Sequence, residues 1–138
     1  MYTTTWGPAD PNLASQNYHS KEYVMQVRAF IEAVMNYTKA DTINIISHSM
    51  GVTLARKAIK GGIGVDHEKG NYDVGESLAK KVKTFIGIAG GNLGLTSCYS
   101  ATTLPTCNIK AGFFPGATSF SHPSDFLNDL NVRGGMEG

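Results

Sequence analysis

The nine residues Ile43-Asn44-Ile45-Ile46-Ser47-His48-Ser49-Met50-Gly51 constrain this chain more than any other stretch. A short β-branched run stops on a serine that has a small residue two positions to either side, and a helix-compatible segment follows with no connecting loop. A strand that turns into a helix at one residue sends the chain back across a sheet face. The strand after such a helix pairs in parallel with the first, which makes the chain α/β.

The flanking segments fit that frame. From Lys21 to about Tyr37, apolar residues at Val24, Val27, Phe30, Ile31 and Val34 recur every three or four positions, and Ser20 is placed to cap the helix they predict. Asp41 to Ile46 reads as a strand covered on both faces. Gly51 to Lys60 is helical, with Val52, Ala55, Ala58 and Ile59 on one side and Gly61-Gly62 as its stop. Asp66 to Glu76 is polar and reads as a loop, and Val82 to Ala89 is the next strand, closed by Gly90-Gly91-Asn92. Residues 2–6 suit a further strand, broken by Gly7-Pro8-Ala9-Asp10-Pro11-Asn12. Beyond Asn92 the chain to residue 120 reads as an ordered excursion above the sheet. Pro123 to Asn131 predicts a short helix presenting Phe126, Leu127 and Leu130, either to the core or to an apolar cleft.

Composition narrows the function classes. Twelve Lys and Arg against eleven Asp and Glu give a net charge of +1, so no global field draws in nucleic acid or an anionic membrane. No apolar run reaches membrane-spanning length, and Met1 to Gly7 carries neither the basic nor the apolar region of a signal peptide. A chain of 138 residues is short for an α/β enzyme with a full sheet. Beginning as it does within a strand, it reads as one domain cut short.

A serine hydroxyl attacks a carbonyl only when a base takes its proton and donors receive the charge on the oxygen. Ser49 at the turn projects its hydroxyl out of the sheet, and the Met50 amide, first of the helix, points to the same place with the positive helix end behind it. The competing role for Ser49 is to cap the helix. His48 is adjacent but diverges from the Ser49 hydroxyl, which suits a pocket wall better than a base. His67 falls in a polar loop, and His122 precedes Asp125, opposite to the acid-then-base order such folds use.

At Ile45-Ile46-Ser47-His48-Ser49-Met50-Gly51 and Ile86-Gly87-Ile88-Ala89-Gly90-Gly91-Asn92, with Trp6-Gly7 before the first helix, the chain resembles the class 2 lipases of the α/β-hydrolase superfamily, particularly the lipase-like secreted proteins of nematodes. The resemblance implies a partial α/β-hydrolase fold, with a mostly parallel sheet, flanking helices and a nucleophile elbow at Ser49. It implies an esterase or lipase that forms an acyl-enzyme on Ser49 with the Met50 amide as one oxyanion donor, needing no cofactor or metal. Its substrate would be a lipid or other acyl ester, met in passing at a lipid interface. In that family the His-Gly loop supplying the second oxyanion donor precedes Trp6, and the acid and base follow Gly138. Residues 1–138 then form the central portion of the catalytic domain, truncated at both ends, and Asp125 and His122 do not take the missing roles. A sheet that stops after about three strands leaves an open edge, so the isolated chain is expected to aggregate.

Cys98 and Cys107 are the only cysteines, either bridged in an oxidising compartment or two buried thiols; a bridge contributes about 2–3 kcal/mol in the chain-entropy model. With no histidine nearby they make no zinc site. Asn36-Tyr37-Thr38 is a glycosylation sequon, and both features agree with the secretion that the resemblance implies. Two rivals remain at this point. A catalytically incomplete binding protein on the same fold is one. A nucleotide-binding domain is the other, suggested by Gly87, Gly90, Gly91 and Gly94 but lacking the G-x-G-x-x-G spacing.

Overall fold

A computed structural model of the chain describes residues 1–8, 10–117 and 122–132. Among the described residues three α-helices and four strands follow in the order α1 (Lys21–Thr38), β1 (Ile43–His48), α2 (Met50–Lys60), β2 (Ile63–Asp66), β3 (Gly70–Asp73), β4 (Val82–Ile88) and α3 (Asp125–Asn131). β1 and β4 pair in parallel, with Ile45 opposite Phe85, Ser47 opposite Gly87 and His48 opposite Ile88. This small parallel sheet with helices packed on it is a partial α/β fold, as the alternation of helix and strand predicts.

Local chemistry sets the element ends. The Ser20 hydroxyl accepts from the Tyr23 amide at 3.3 Å and caps α1. Helix α1 ends on Lys39 in the left-handed region, and α2 ends at Gly61, whose φ of 73° favours glycine. The apolar stripe of α1 (Val24, Val27, Ile31) meets Leu54, Ala55, Ala58 and Ile59 of α2 in the core. Phe113, Phe126, Leu127 and Leu130 complete it from the other side. Of the two roles open to the α3 patch, core packing is the one observed: its three apolar side chains are almost wholly buried.

Several expectations are corrected. Residues 2–6 form no strand, because the described strands offer them no partner: β1 pairs only with β4. The segment packs through Trp6, whose ring lies 5.4 Å from that of Tyr23. The polar stretch after Asp66 is not a plain loop but the turn and second strand of the antiparallel hairpin β2–β3. Asp66 builds that turn by accepting the amides of Glu68 and Lys69, while its other oxygen takes the Lys21 amide at the start of α1. Strand β1 is covered on one face only. Ile43, Ile45 and Ser47 turn toward the helices; Asn44, Ile46 and His48 are exposed, Ile46 by 70%. Ile86 and Ile88 of β4 extend that open apolar face. Phe30 leaves the core stripe for an apolar cleft beside Tyr2, and Arg28 occupies the interior instead.

Candidate active site

The backbone turns from β1 into α2 within one residue. Ser49 has φ 55° and ψ −133°, a combination that costs a residue with a Cβ on the order of 1–3 kcal/mol. Its amide extends the parallel ladder by donating to the Ile88 carbonyl at 2.9 Å, and its carbonyl accepts the first helical bond from Val52. The Ser49 side chain makes no capping bond, so the helix-cap role does not explain it. No described residue hydrogen-bonds the Ser49 hydroxyl, which is exposed at the C-terminal end of the sheet, and none accepts from the Met50 amide. The turn therefore holds an unengaged hydroxyl next to an unengaged N–H at the positive end of an 11-residue helix.

Close packing makes room for this crossing. A Cβ on Gly90 would lie 2.7 Å from Val52 Cγ1, and one on Gly87 would lie 2.9 Å from the same atom. The glycines at the end of β4 thus let α2 lie tightly over the strand. Gly51 is small for another reason: its extra carbon would meet the Trp6 indole nitrogen at 3.2 Å.

If the Ser49 strain is stored in the backbone, glycine should release it. Ser49→Gly is expected to raise stability by about 1 kcal/mol, the relief of strain less the entropy glycine loses on folding, while Ser49→Ala keeps the strain. Urea midpoints of the two variants decide this, and equal midpoints would refute it.

All four histidines lie among the described residues, and none is hydrogen-bonded to Ser49. His48 is exposed on the open face of β1. His67 is exposed on the hairpin turn, its ring 5.9 Å from that of Tyr18. His122 has Nδ1 2.6 Å from the Pro123 carbonyl and Nε2 3.9 Å from Asp125, which also pairs with Lys110. His19, which no pattern in the sequence singled out, is the histidine that the fold encloses completely. Its Nδ1 lies 2.8 Å from the Ala111 carbonyl and its Nε2 2.7 Å from the Thr53 hydroxyl, one turn along α2 from Met50. A carbonyl only accepts, so Nδ1 carries the proton, and Nε2 of the neutral ring accepts a hydrogen bond from the Thr53 hydroxyl, whose oxygen also lies 2.9 Å from the Met50 carbonyl. The ring stacks on Phe126 at 4.2 Å and meets Phe113 edge-on at 4.6 Å, and burial among these groups pushes its pKa down to about 4. His19 is held too firmly to shuttle protons. It ties the first turns of α2 to the loop at Ala111 and to α3.

A polar bridge lies one turn farther along α2. Arg56 Nη1 donates to Asn92 Oδ1 at 2.9 Å and to Asn131 Oδ1 at 3.0 Å, and Asn131 Nδ2 donates to the Asn92 carbonyl. A cleft of about 410 Å³ opens below it along Val52 and Phe85, and Ser49 does not line it. The excursion after β4 is pinned by the disulfide Cys98–Cys107, with both sulfurs buried and the Cα atoms 5.0 Å apart. The end of that excursion, residues 118–121, lies outside the described residues. Among the described residues no group of three His, Cys, Asp or Glu is placed to hold a metal ion, and no helix is long and apolar enough to cross a membrane.

Fold and turn together define an α/β chain of the kind that carries a serine at a strand-to-helix junction. The family model for lipase (class 2) matches residues 1–138, and the chain belongs to that family of lipase-type hydrolases. No curated protein matches it.

Proposed function

We propose that the complete protein is a serine hydrolase that cleaves acyl esters, acylglycerol-like lipids among them, through an acyl-enzyme on Ser49. The observation that carries this reading is the strained Ser49 backbone with its unengaged hydroxyl, since strain persists where surrounding structure and function hold it. In the reaction the Ser49 oxygen attacks the ester carbonyl, and the Met50 N–H donates to the oxyanion as charge develops there. The elbow geometry supports this division of roles, because the exposed Ser49 and the Met50 N–H belong to adjacent residues of the same turn.

The acid and base are proposed to come from outside residues 1–138. Support for this is internal: both His19 nitrogens are engaged, and neither His122 nor Asp125 reaches Ser49. Residues 1–138 then stand as the central portion of one catalytic domain, and the open apolar face of β1 and β4 is surface that further elements would cover. Leu93 and Leu95, exposed just beyond β4, support contact with an acyl chain or a lipid surface at the Ser49 end of the sheet. The buried disulfide and the family favour an extracellular site of action.

The unengaged Ser49 hydroxyl also favours a second reading, a lipase-like protein that binds esters without cleaving them. A fluorophosphonate probe separates the two. In a protein carrying residues 1–138 together with their acid and base, one serine labels and Ser49→Ala removes the label. Labelling that survives Ser49→Ala, or none at all, overturns the hydrolase. Residues 1–138 alone are expected to stay unlabelled, because an unassisted hydroxyl is too weak a nucleophile.

A further inference from the structure

We propose that Asn36 is a site of N-linked glycosylation and that its sugar stands on the solvent face of α1, at the end of the sheet opposite Ser49. Asn36-Tyr37-Thr38 is the only Asn-x-Ser/Thr triplet in the sequence, and its middle residue is not proline. The triplet occupies the last turn of α1. Asn36 is exposed, and no hydrogen bond engages its carboxamide.

The surface around Asn36 is open. Ala29 and Ala33 lie seven and three positions earlier on the same side of the helix, and both are exposed. Their methyl groups leave space that longer side chains would fill. The buried stripe of Val24, Val27 and Ile31 lies on the far side, so a glycan at Asn36 displaces no core contact.

Position along the fold separates this site from the elbow. The C-terminal end of α1 leads through residues 39–42 into the first residue of β1, and Ser49 follows the last. Six residues of strand span about 20 Å. The sugar therefore stands clear of the Ser49 hydroxyl, and the inference does not depend on the role given to that serine.

The disulfide is an independent observation pointing to the same compartment. A buried Cys98–Cys107 bridge forms where thiols are oxidised, which for a eukaryotic secretory chain is also where glycosyl transfer takes place. The co-reactant is a polyprenyl-pyrophosphate oligosaccharide. Asn36 Nδ2 forms a bond to the anomeric carbon of its first N-acetylhexosamine as the bond from that carbon to the pyrophosphate oxygen breaks. The amide loses one proton, and the lipid pyrophosphate leaves with the electron pair. No oxidant or reductant is involved.

Timing follows from Thr38. In the folded chain its hydroxyl donates to the Val34 carbonyl at 2.7 Å and takes the Ala40 amide at 3.3 Å, so it is occupied once the turn closes. Transfer accordingly precedes folding of the last turn, on the chain as it emerges.

The test is to express the chain behind a cleavable secretory leader in insect cells and measure its mass before and after peptide N-glycosidase, in medium and cell pellet. One discrete increment is expected, removed by the glycosidase with conversion of Asn36 to aspartate, lost in Asn36→Gln and Thr38→Ala, and kept in Thr38→Ser. A chain that misfolds still carries the sugar in the pellet, because transfer comes first. An unmodified Asn36 in chains whose Cys98–Cys107 bridge has formed, or an increment that survives Asn36→Gln, overturns the proposal.

Discussion

Lowering the pH from 6.5 to 4 is expected to cost the folded chain about 3 kcal/mol through His19 alone. Enclosure pushes its pKa down to about 4, against 6.5 for a free histidine. Below 6.5 the unfolded chain takes up a proton that the folded chain refuses, so the unfolded state binds more protons and stability falls with pH. Above 6.5 both states hold the neutral ring and the term vanishes; at about 4 the folded ring also protonates and the loss stops growing. A gap of about 2.5 pH units at about 1.4 kcal/mol each sets the size. The cause is desolvation first, opposed by the bond to the Ala111 carbonyl, which favours the charged ring. Carboxylates titrate in the same range, so urea unfolding must be followed against pH in both the parent and His19→Gln. The variant starts less stable, having lost the stacked ring, but its slope between pH 6.5 and 4 should be shallower. Parallel slopes in the two proteins would exclude His19 as the source.

His19 also marks where reading from the sequence stops. What is local was legible. The Ser20 cap, the periodic stripe of α1, the glycine stop of α2 and the parallel pairing of β1 with β4 each depend on residues within a few positions of one another, or on one rule of connection. The turn at Ser49 was legible for the same reason: small residues at 47 and 51 and an immediate helix leave the chain few other paths. His19, by contrast, is defined by Thr53, Ala111 and Phe126, which are 34, 92 and 107 positions away and carry no pattern that points back to it. The β2–β3 hairpin escaped because its polarity looks like that of a loop. Its order comes from Asp66 collecting amides from its own turn and from Lys21, and from Tyr72 packing over Gly64. The open face of β1 is the opposite case: Asp41 to Ile46 reads as doubly buried, yet a β-branched run states only what a strand prefers, and the second cover must come from elsewhere. The two interior cations of the helices were missed because much of what holds them is distant in sequence: Arg28 pairs with Glu32 on its own helix but also donates to the Ala58 and Glu76 carbonyls, and Lys57 pairs with Asp129 of α3.

One of those cations, Lys57, supports the second large effect. Its side chain is 1% exposed on α2, and its ammonium donates to the Gly61 carbonyl at 3.0 Å, the Ile63 carbonyl at 2.7 Å and Asp129 Oδ2 at 2.7 Å. Three donors meet three acceptors, and the ion joins the end of α2, the start of β2 and α3. Lys57→Met is expected to destabilise by about 2–4 kcal/mol although it keeps most of the buried volume. The two carbonyls lose their donor at about 1–3 kcal/mol for each that stays dry, while the Asp129 carboxylate, 39% exposed and also paired with Lys60, loses little. Lys57→Ala adds the cost of the cavity left by the stem, so it should be the worse of the two by at least 1 kcal/mol. Comparison with Asp129→Asn separates the ion pair from the carbonyl bonds. If the carbonyls dominate, Asp129→Asn costs less than about 1 kcal/mol, as expected of a partly solvated pair. Urea titrations of the three variants measure all of these differences. A Lys57→Met chain as stable as the parent would mean that water reaches the Gly61 and Ile63 carbonyls, and that α2, β2 and α3 hold together by apolar packing alone.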